Sequence, residues 1–347
     1  MRAMVVHEPG PADVFKLESI PDPTPEPTEC VVKVIACGVC MHDVVTRNGV
    51  MKRGVVMPVI CGHEIAGEVA EVGSRVTKFK IGDRVTTTQR RHICGHCEFC
   101  RSGRETWCEE KEFLGDVGLN GGYAEYVLLG QENMIHVPDN VSLEEASIVA
   151  CAVGTEYNAI VSTAKLLVGE TCLITGAGGG LGIHGIQIAA AAGAEVVATT
   201  TSPEKADLCK QAGATHVVVY GRGEDFSKQV LEVTGGRGAD VAIDNVGSVV
   251  FHAVRKSMAY AGRWVFVGQL GGDFVSFSPA QFFFRGLTAY SASSTSRAQL
   301  LASMELVARG KVRPMVTKSF KLEDAARAHL AVEAGNSAAR FLIKPWD

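Results

Sequence analysis

Four cysteines share one short polar segment near residue 100. Cys94, Cys97, Cys100 and Cys108 are separated by two, two and seven residues. Four thiolates at this spacing can close a tetrahedral shell around zinc, which leaves no open position for a substrate. The spacing therefore predicts a structural zinc site, and the chemistry is expected elsewhere in the chain.

Disulfides and an iron–sulfur centre are the alternatives for these cysteines. The first residues lack the long apolar core of a secretory signal, and no apolar run is long enough to span a membrane. We therefore expect a cytoplasmic protein without a membrane partner. Reduced cysteines that lie close together in the cytoplasm bind metal more often than they pair with each other.

A second set of metal-binding residue types is scattered along the chain. Cys40, His63 and Cys151 come from three separated segments, and a catalytic zinc needs three protein ligands and an open fourth position. Each residue also has a simpler interpretation. Cys40 could form a redox pair with Cys37, and His63 could be an ordinary buried polar residue. Cys151 could pack as a small apolar side chain.

A glycine-rich turn lies between a predicted strand at Thr171 to Thr175 and a predicted helix at Ile183 to Ala190. Such a turn lets backbone amides and the helix N-terminus meet a pyrophosphate. The strict G-x-G-x-x-G pattern would put its last glycine inside the helix, so we assign the phosphate turn to other positions. They are Gly176, Gly179, Gly180 and Gly182.

Thr200 ends the next predicted strand, where a free ribose 2′-hydroxyl would require an Asp or Glu. Thr201, Ser202 and Lys205 follow it. Hydroxyls and a cation suit a 2′-phosphate better than a bare hydroxyl, although the segment could also be a surface loop that caps the next helix. The residues favour NADP(H) over NAD(H).

The elements that must position these residues divide the chain in two. A chain of 347 residues exceeds the usual size of a single core, and a net charge of −4 without a Lys/Arg run gives no site for nucleic acid. The first ~150 residues contain short β segments broken by Pro and Gly, which predicts an irregular β domain. From about Glu170, strands and helices alternate as in an α/β, doubly wound parallel sheet.

These segments resemble the zinc-dependent medium-chain dehydrogenase/reductase family, which is alcohol dehydrogenase-like, over essentially the full chain. The resemblance rests on Gly62 to Gly73, Gly82 to Val85, the four-cysteine lobe, Cys151 to Tyr157 and the glycine-rich turn, in the family's order. It implies a GroES-like catalytic domain at 1–153 with a zinc lobe at about 92–110. A Rossmann NAD(P)-binding domain at 154–290 and a return to the catalytic domain at 291–347 would follow.

The resemblance also implies roles for individual residues. Zinc would be held by Cys40, His63 and Cys151, with Glu64 beside the metal and Asp43 orienting His63. Hydride would pass between NAD(P)(H) and a small-molecule alcohol, aldehyde or ketone whose oxygen zinc polarises. The implied cofactor contacts are Thr155 and Gly268 at the nicotinamide and Arg340 at the phosphates. Residues 286–292 resemble the strand through which the family's cofactor domains pair, which implies a homodimer or homotetramer.

One position departs from the family's pattern. The alcohol dehydrogenases usually have Ser or Thr two residues after the first zinc cysteine, and a relay histidine three further on; here these positions hold His42 and Val45. We expect His42 to be the general acid/base, because imidazole titrates near neutral pH. The alternative is that His42 only packs against the cofactor or faces solvent.

The same departure leaves the substrate open. The altered relay and the segment 184–187 resemble a branch that includes acryloyl-CoA reductases, so reduction of an activated C=C bond in an enoyl thioester or quinone is the alternative chemistry. A CoA substrate would require basic residues, for which Arg47, Lys52 and Arg53 are candidates. A second alternative is a nicotinamide-binding scaffold without turnover.

Overall fold

The computed structural model describes residues 1–51, 54–335 and 338–347. Its strands, in chain order, are β1 Arg2–Val6, β2 Phe15–Ser19, β3 Glu29–Val39, β4 Val59–Ile60, β5 Glu64–Val72, β6 Arg84–Thr87, β7 Arg90–His92, β8 Glu112–Phe113, β9 Tyr126–Gly130, β10 Met134–His136, β11 Thr171–Ile174, β12 Glu195–Thr200, β13 His216–Val219, β14 Ala239–Asp244, β15 Met258–Phe266, β16 Thr288–Ser291, β17 Val316–Lys321 and β18 Arg340–Lys344.

Short helices connect these strands. The α-helices are α1 Met41–Arg47, α2 Glu98–Arg101, α3 Leu143–Ser147, α4 Gly154–Tyr157, α5 Gly182–Ala191, α6 Ala206–Gln211, α7 Ser227–Val233, α8 Phe251–Ser257, α9 Ala280–Phe283, α10 Arg297–Ala308 and α11 Ala325–Glu333. Two π-helical segments, Val149–Val153 and Asn158–Thr163, flank α4. The 3₁₀ turns are Ala12–Val14, Glu105–Trp107, Gln131–Asn133, Pro203–Lys205, Ser248–Val250 and Leu322–Asp324.

The chain forms two compact units. The first comprises Met1–Gly154, Ser294–Ala308 and Pro314–Asp347, and the second comprises Thr155–Ser293 and Arg309–Arg313. The domain limits that the sequence analysis drew at residues 153 and 290 stay a prediction.

The first unit is built on a mainly antiparallel sheet in which β3 is the central strand. In the described residues β3 pairs with β5, β9 and β18, and β18 continues to β17. A smaller sheet, β2-β1-β4, packs its Val and Met side chains into the same apolar core. The irregular β domain predicted for this part of the chain is confirmed, and the last strand of the chain completes its sheet.

The strand register of the first unit brings distant parts of the sequence to one point. Gly38 in β3 lies opposite Glu64 in β5, so the residues that follow β3 and precede β5 lie at the same end of the strand pair. Phe341 in β18 lies opposite Val39, which places Arg340 beside the end of β3 as well. This end of the sheet is where the candidate site lies.

The second unit is a parallel sheet with the strand order β13-β12-β11-β14-β15-β16 across the described residues. Numbered within the unit, this order is 3-2-1-4-5-6, which is the doubly wound arrangement with its switch point beside the first strand. β11 is buried along its whole length, as expected for a central parallel strand. The predicted α/β sheet is confirmed.

β16 is the last strand of this sheet, and all four of its residues are exposed. Phe283 and Phe284, shortly before it, are 65% and 76% exposed, which is unusual for adjacent aromatic residues. Across 1–51, 54–335 and 338–347, no helix combines the length and apolar character needed to cross a bilayer.

Candidate active site

Four metal-binding side chains converge at the end of β3 and the start of β5. Cys40, His63, Glu64 and Cys151 are buried, and one ligand atom from each lies within 4.8 Å of the others. Cys40 caps the N-terminus of α1, and Cys151 comes from the π-helical segment Val149–Val153. Cys40 Sγ and Cys151 Sγ are 4.0 Å apart.

This geometry fits a zinc ion. Zn–S bonds of about 2.3 Å in a tetrahedral shell put two sulfurs about 3.8 Å apart, close to the separation of Cys40 and Cys151. Nδ1 of His63 lies 3.0 Å from Asp43 Oδ1, a contact that favours a proton on Nδ1 and would leave Nε2 for a ligand bond. The three ligands predicted from sequence are therefore brought together with suitable atoms.

Asp43 is fixed by the backbone around both ligands. Its Oδ2 accepts from the Cys40 amide at 2.8 Å, and its Oδ1 accepts from the Gly62 amide at 3.1 Å as well as from His63. Gly62 has a φ of +104°, and a Cβ there would approach the Tyr123 ring to 2.7 Å. Only glycine allows the chain to turn into His63 at this distance from Tyr123.

Glu64 and Arg340 form a buried ion pair beside the thiols. Arg340 Nη2 lies 3.0 Å from Glu64 Oε1, and 3.6 Å and 3.5 Å from the sulfurs of Cys40 and Cys151. Gly38 leaves the space that Glu64 occupies, because a Cβ there would lie 2.1 Å from Glu64 Oε2. The place at the cofactor phosphates that the family resemblance implies for Arg340 stays a prediction; its contacts in the first unit are with the metal-binding cluster.

The charged groups of the cluster shift the pKa values of their neighbours. Burial raises the pKa of Glu64 to about 7, against the opposing effect of Arg340. The hydrogen bond from Cys151 lowers the pKa of the Cys40 thiol well below its ordinary value, and the Arg340 charge adds to this effect despite burial. Burial disfavours a protonated His63, but Asp43 outweighs it and raises the pKa of the ring.

His42 lies next to the cluster and has a partner that the sequence analysis missed. Its Nε2 is 2.9 Å from Asp116 Oδ1 and 3.0 Å from Oδ2, and Thr46 Oγ1 donates to the same carboxylate at 2.9 Å. The His42 ring centroid is 5.0 Å from that of His63, and Phe113 packs against both rings. The side chain of His42 is 27% exposed, whereas that of Asp116 is 7% exposed.

The four cysteines of the lobe form a second cluster around α2. Cys94 Sγ is 3.9 Å from Cys100 Sγ and 3.6 Å from Cys108 Sγ, again the span of a tetrahedral zinc shell. Backbone amides of Cys97, Cys100 and Cys94 donate to the sulfurs of Cys94, Cys97 and Cys108. The hydrogen bond from the Cys100 amide lowers the pKa of Cys97 to about 7, which favours a thiolate ligand.

In the second unit the glycine-rich turn follows β11 and leads into α5. Gly176 has a φ of +57°, and a Cβ on Gly182 would lie 2.6 Å from the Gly176 oxygen. Gly179 donates its amide to that same oxygen, and Gly180 accepts from His184 Nδ1. The glycines of the turn therefore present backbone without side chains near the N-terminus of α5, which suits a phosphate.

The remaining predicted cofactor residues lie near this turn or at the ends of neighbouring elements. Thr200 ends β12 and its hydroxyl accepts from the Ser202 amide, while Thr201 is exposed. The buried stem of Lys205 packs over Gly178, at 2.9 Å from a Cβ built there. Gly268, another predicted cofactor contact, packs so closely that a Cβ there would lie 2.4 Å from the Asn245 backbone oxygen. The buried hydroxyl of Thr155, also predicted to contact the cofactor, has no hydrogen bond within the described residues.

Arg47 does not have the position that binding of CoA would require. It is 1% exposed, and its guanidinium donates to Gly10, Glu333 and His329 inside the first unit. Lys52 and Arg53, the other two candidates, lie outside the described residues.

Two regions of the chain match known family patterns. Residues 26–139 match the alcohol dehydrogenase GroES-like domain, and residues 180–309 match the zinc-binding dehydrogenase domain. An acryloyl-coenzyme A reductase of Sulfurisphaera tokodaii is 32% identical over 99% of this chain and 100% of its own length. An NAD-dependent alcohol dehydrogenase of the same organism is 35% identical with the same coverage. The crystal structure of AibC superimposes with a TM-score of 0.94 at 40% identity, and the match covers 100% of this chain and 96% of that one.

The chain belongs to the zinc-binding medium-chain dehydrogenase/reductase family of oxidoreductases. Its first unit contains the GroES-like domain and its second the Rossmann sheet, which confirms the predicted fold class. Relatives named for each of the two chemistries match 99% of the chain, at 32% and 35% identity. Membership of the family therefore does not determine the substrate or the preferred cofactor, and both must be argued from the site residues.

Proposed function

We propose that this protein is a zinc-dependent oxidoreductase that transfers hydride between a nicotinamide cofactor and an alcohol, aldehyde or ketone. The observation that carries the proposal is the convergence of Cys40, His63 and Cys151, which supplies three ligands and, among the described residues, no fourth thiolate. Zinc bound there would supply a Lewis acid for the substrate oxygen. The four-cysteine lobe offers no such open position, so we assign it a structural zinc.

The chain's own proton carrier in this proposal is His42. Its Nε2 faces Asp116, so Nδ1 is the atom left to exchange a proton with a substrate. Asp116 and Thr46 hold the ring in one orientation, and the partial exposure of His42 gives it a route to water. This arrangement takes the place of the hydroxyl-to-histidine relay, whose second position is occupied by Val45.

Reduction of an activated C=C bond is the second candidate. It is supported by the absence of the alcohol relay and by the relatives named acryloyl-coenzyme A reductase. In this chemistry hydride adds to the β-carbon of the substrate, and a proton must reach the α-carbon. His42 serves that step as well, because the proton can come from the same ring nitrogen.

We propose NADP(H) as the preferred cofactor, on the residues at the end of β12. Thr200, Thr201 and Ser202 provide hydroxyls, and the amine-bearing Lys205 lies over the glycine-rich turn. No carboxylate occupies positions 200–203 to accept from a 2′-hydroxyl. The relatives named NAD-dependent argue for the opposite preference, so the cofactor is tested directly.

The experiment is a matched set of initial rates, measured by absorbance with both NADPH and NADH. The substrates are a saturated aldehyde, the corresponding unsaturated aldehyde and the corresponding enoyl-CoA. Faster turnover of aldehydes, lost when zinc is stripped, supports the alcohol dehydrogenase function. Turnover of the enoyl-CoA with an inert saturated aldehyde supports C=C reduction instead, and no turnover of any substrate supports a non-catalytic scaffold.

We further propose a cytoplasmic homodimer or homotetramer that acts on a small molecule. The exposed strand β16 and the exposed Phe283 and Phe284 next to it support a subunit contact there. An edge strand with a free row of backbone groups is a ready template for pairing with a second copy.

A further inference from the structure

A chain of buried polar side chains runs from Asp43 toward the surface of the first unit. Tyr123 OH lies 3.5 Å from Asp43 Oδ2 and 3.1 Å from His329 Nε2. His329 Nδ1 lies 3.4 Å from Arg47 Nη1, and Arg47 Nη2 lies 2.8 Å from Glu333 Oε1. The first four residues are almost fully buried, whereas the side chain of Glu333 is 34% exposed.

Arg47, near the outer end of this series of side chains, determines which group donates in each hydrogen bond. A guanidinium can only donate, so Arg47 donates to His329 Nδ1 and the ring carries its proton on Nε2. Nε2–H then donates to the Tyr123 oxygen, which leaves the Tyr123 O–H to donate to Asp43 Oδ2. Asp43 Oδ1 remains the acceptor for His63 Nδ1–H.

The neutral form of His329 agrees with this order. Burial lowers the pKa of His329 to about 4, and the neighbouring Arg47 charge acts in the same direction. A protonated ring would present a second donor to Arg47, which has no acceptor to offer. Phe15 packs edge-on against the ring at 4.8 Å between centroids and so keeps it in place.

We infer that Tyr123 and His329 are positioning residues that hold Asp43 so that it keeps His63 in its metal-binding tautomer. The inference rests on the proposed zinc site, because its effect is exerted through His63. Tyr123 reaches that site in two ways, since its ring packs against Gly62 and its hydroxyl approaches Asp43. Asp43 is the partner that bonds the ligand His63, and removal of such a partner typically changes metal affinity about 10- to 100-fold. Tyr123 acts one step further out, through Asp43, so we expect the lower end of this range.

The test is zinc retention by the full-length, zinc-loaded protein in competition with a chelator. The wild-type protein is expected to release two pools of zinc, one from the cysteine lobe and one from Cys40, His63 and Cys151. Tyr123→Phe keeps the ring and removes only the hydroxyl. It should lower the zinc affinity of the Cys40, His63 and Cys151 site about tenfold. The zinc affinity of the cysteine lobe should not change. Tyr126→Phe, on a strand of the same unit, is the matched control and should change neither pool.

Two substitutions of His329 separate positioning from packing. His329→Gln retains an N–H group where Nε2–H donates to Tyr123, so the zinc affinity of the Cys40, His63 and Cys151 site should stay within about threefold of wild type. His329→Leu has no such group and should lower that affinity as Tyr123→Phe does. Equal zinc affinity in wild type, Tyr123→Phe and His329→Leu would overturn the inference. So would loss of both pools together, which indicates a general loss of structure. A wild-type protein with only the lobe pool would instead overturn the zinc site of the proposed function.

Discussion

His329 should make the stability of this protein depend on pH below neutrality. The ring is surrounded by Tyr123, Arg47 and Phe15, with the charges of Asp43 and Glu333 close enough to act on it. Burial, reinforced by Arg47, lowers its pKa to about 4 from the ordinary value of 6.5, although Asp43 and Glu333 oppose the shift. At mildly acidic pH the His329 ring is therefore neutral in the folded protein and protonated in the unfolded chain.

The sign and size of the effect follow from this difference. Between pH 6.5 and 4 the unfolded chain binds the proton and the folded protein does not, so the stability contributed above pH 6.5 is lost as the pH falls. A pKa difference of about 2.5 corresponds to about 3 kcal/mol in full, and about 2 kcal/mol of this is lost between pH 7.5 and pH 5.

The assay is urea unfolding of zinc-saturated wild type and His329→Gln at pH 7.5 and pH 5, followed by circular dichroism. Protonation of metal ligands affects both proteins equally, so the quantity of interest is the difference between them. Between pH 7.5 and pH 5 the free energy of unfolding of wild type should fall by about 2 kcal/mol more than that of His329→Gln. His136→Gln, at an exposed histidine of the same unit, should behave as wild type. Parallel pH dependences of wild type and His329→Gln would refute the reasoning.

Three further predictions concern the proton carrier, the zinc lobe and the subunit contact. His42→Ala should lower kcat about a hundredfold or more, and Asp116→Asn about tenfold; an unchanged pH–rate profile in His42→Ala would exclude His42 as the acid/base. Cys97→Ser should reduce the zinc content from about two ions per chain to about one, and metal analysis that still finds two would contradict a zinc shell of four cysteines. Tyr290→Glu on the exposed β16 should reduce the mass measured by light scattering, because like charges would face each other across paired strands. Leu17→Glu, at an exposed residue of the other unit, should leave the mass unchanged. The same mass for both variants would argue against pairing through β16.

The parallel sheet could be predicted because its signals are local. The strand β11, the glycine-rich turn and α5 follow one another within about twenty residues, and burial on both faces of the strand leaves a continuous apolar run. The spacing of Cys94, Cys97, Cys100 and Cys108 is local in the same sense. Residues that lie within one turn or one lobe bring their own geometry, which is why their pattern is informative before any tertiary contact is known.

The polar partners of the site could not be predicted in this way. Asp116 is 74 residues from His42, and His329 is 206 residues from Tyr123, so only the tertiary fold brings each pair together. Arg47 illustrates the converse. A basic residue in a polar segment is usually at the surface, but here α1 packs against α11 and Arg47 is enclosed by His329 and Glu333.

The two histidines of the site have similar carboxylate partners but different surroundings, and this difference separates their roles. His63 is 1% exposed and bonds Asp43 through Nδ1, which leaves Nε2 facing Cys40 and Cys151. His42 is partly exposed and bonds Asp116 through Nε2, so its remaining nitrogen is Nδ1. A buried ring with a fixed tautomer suits a metal ligand, whereas a ring with access to water can return to its starting protonation state after each turnover. We therefore propose that His42, and not His63, exchanges protons with the substrate, for carbonyl and C=C reduction alike because both require one proton for each hydride.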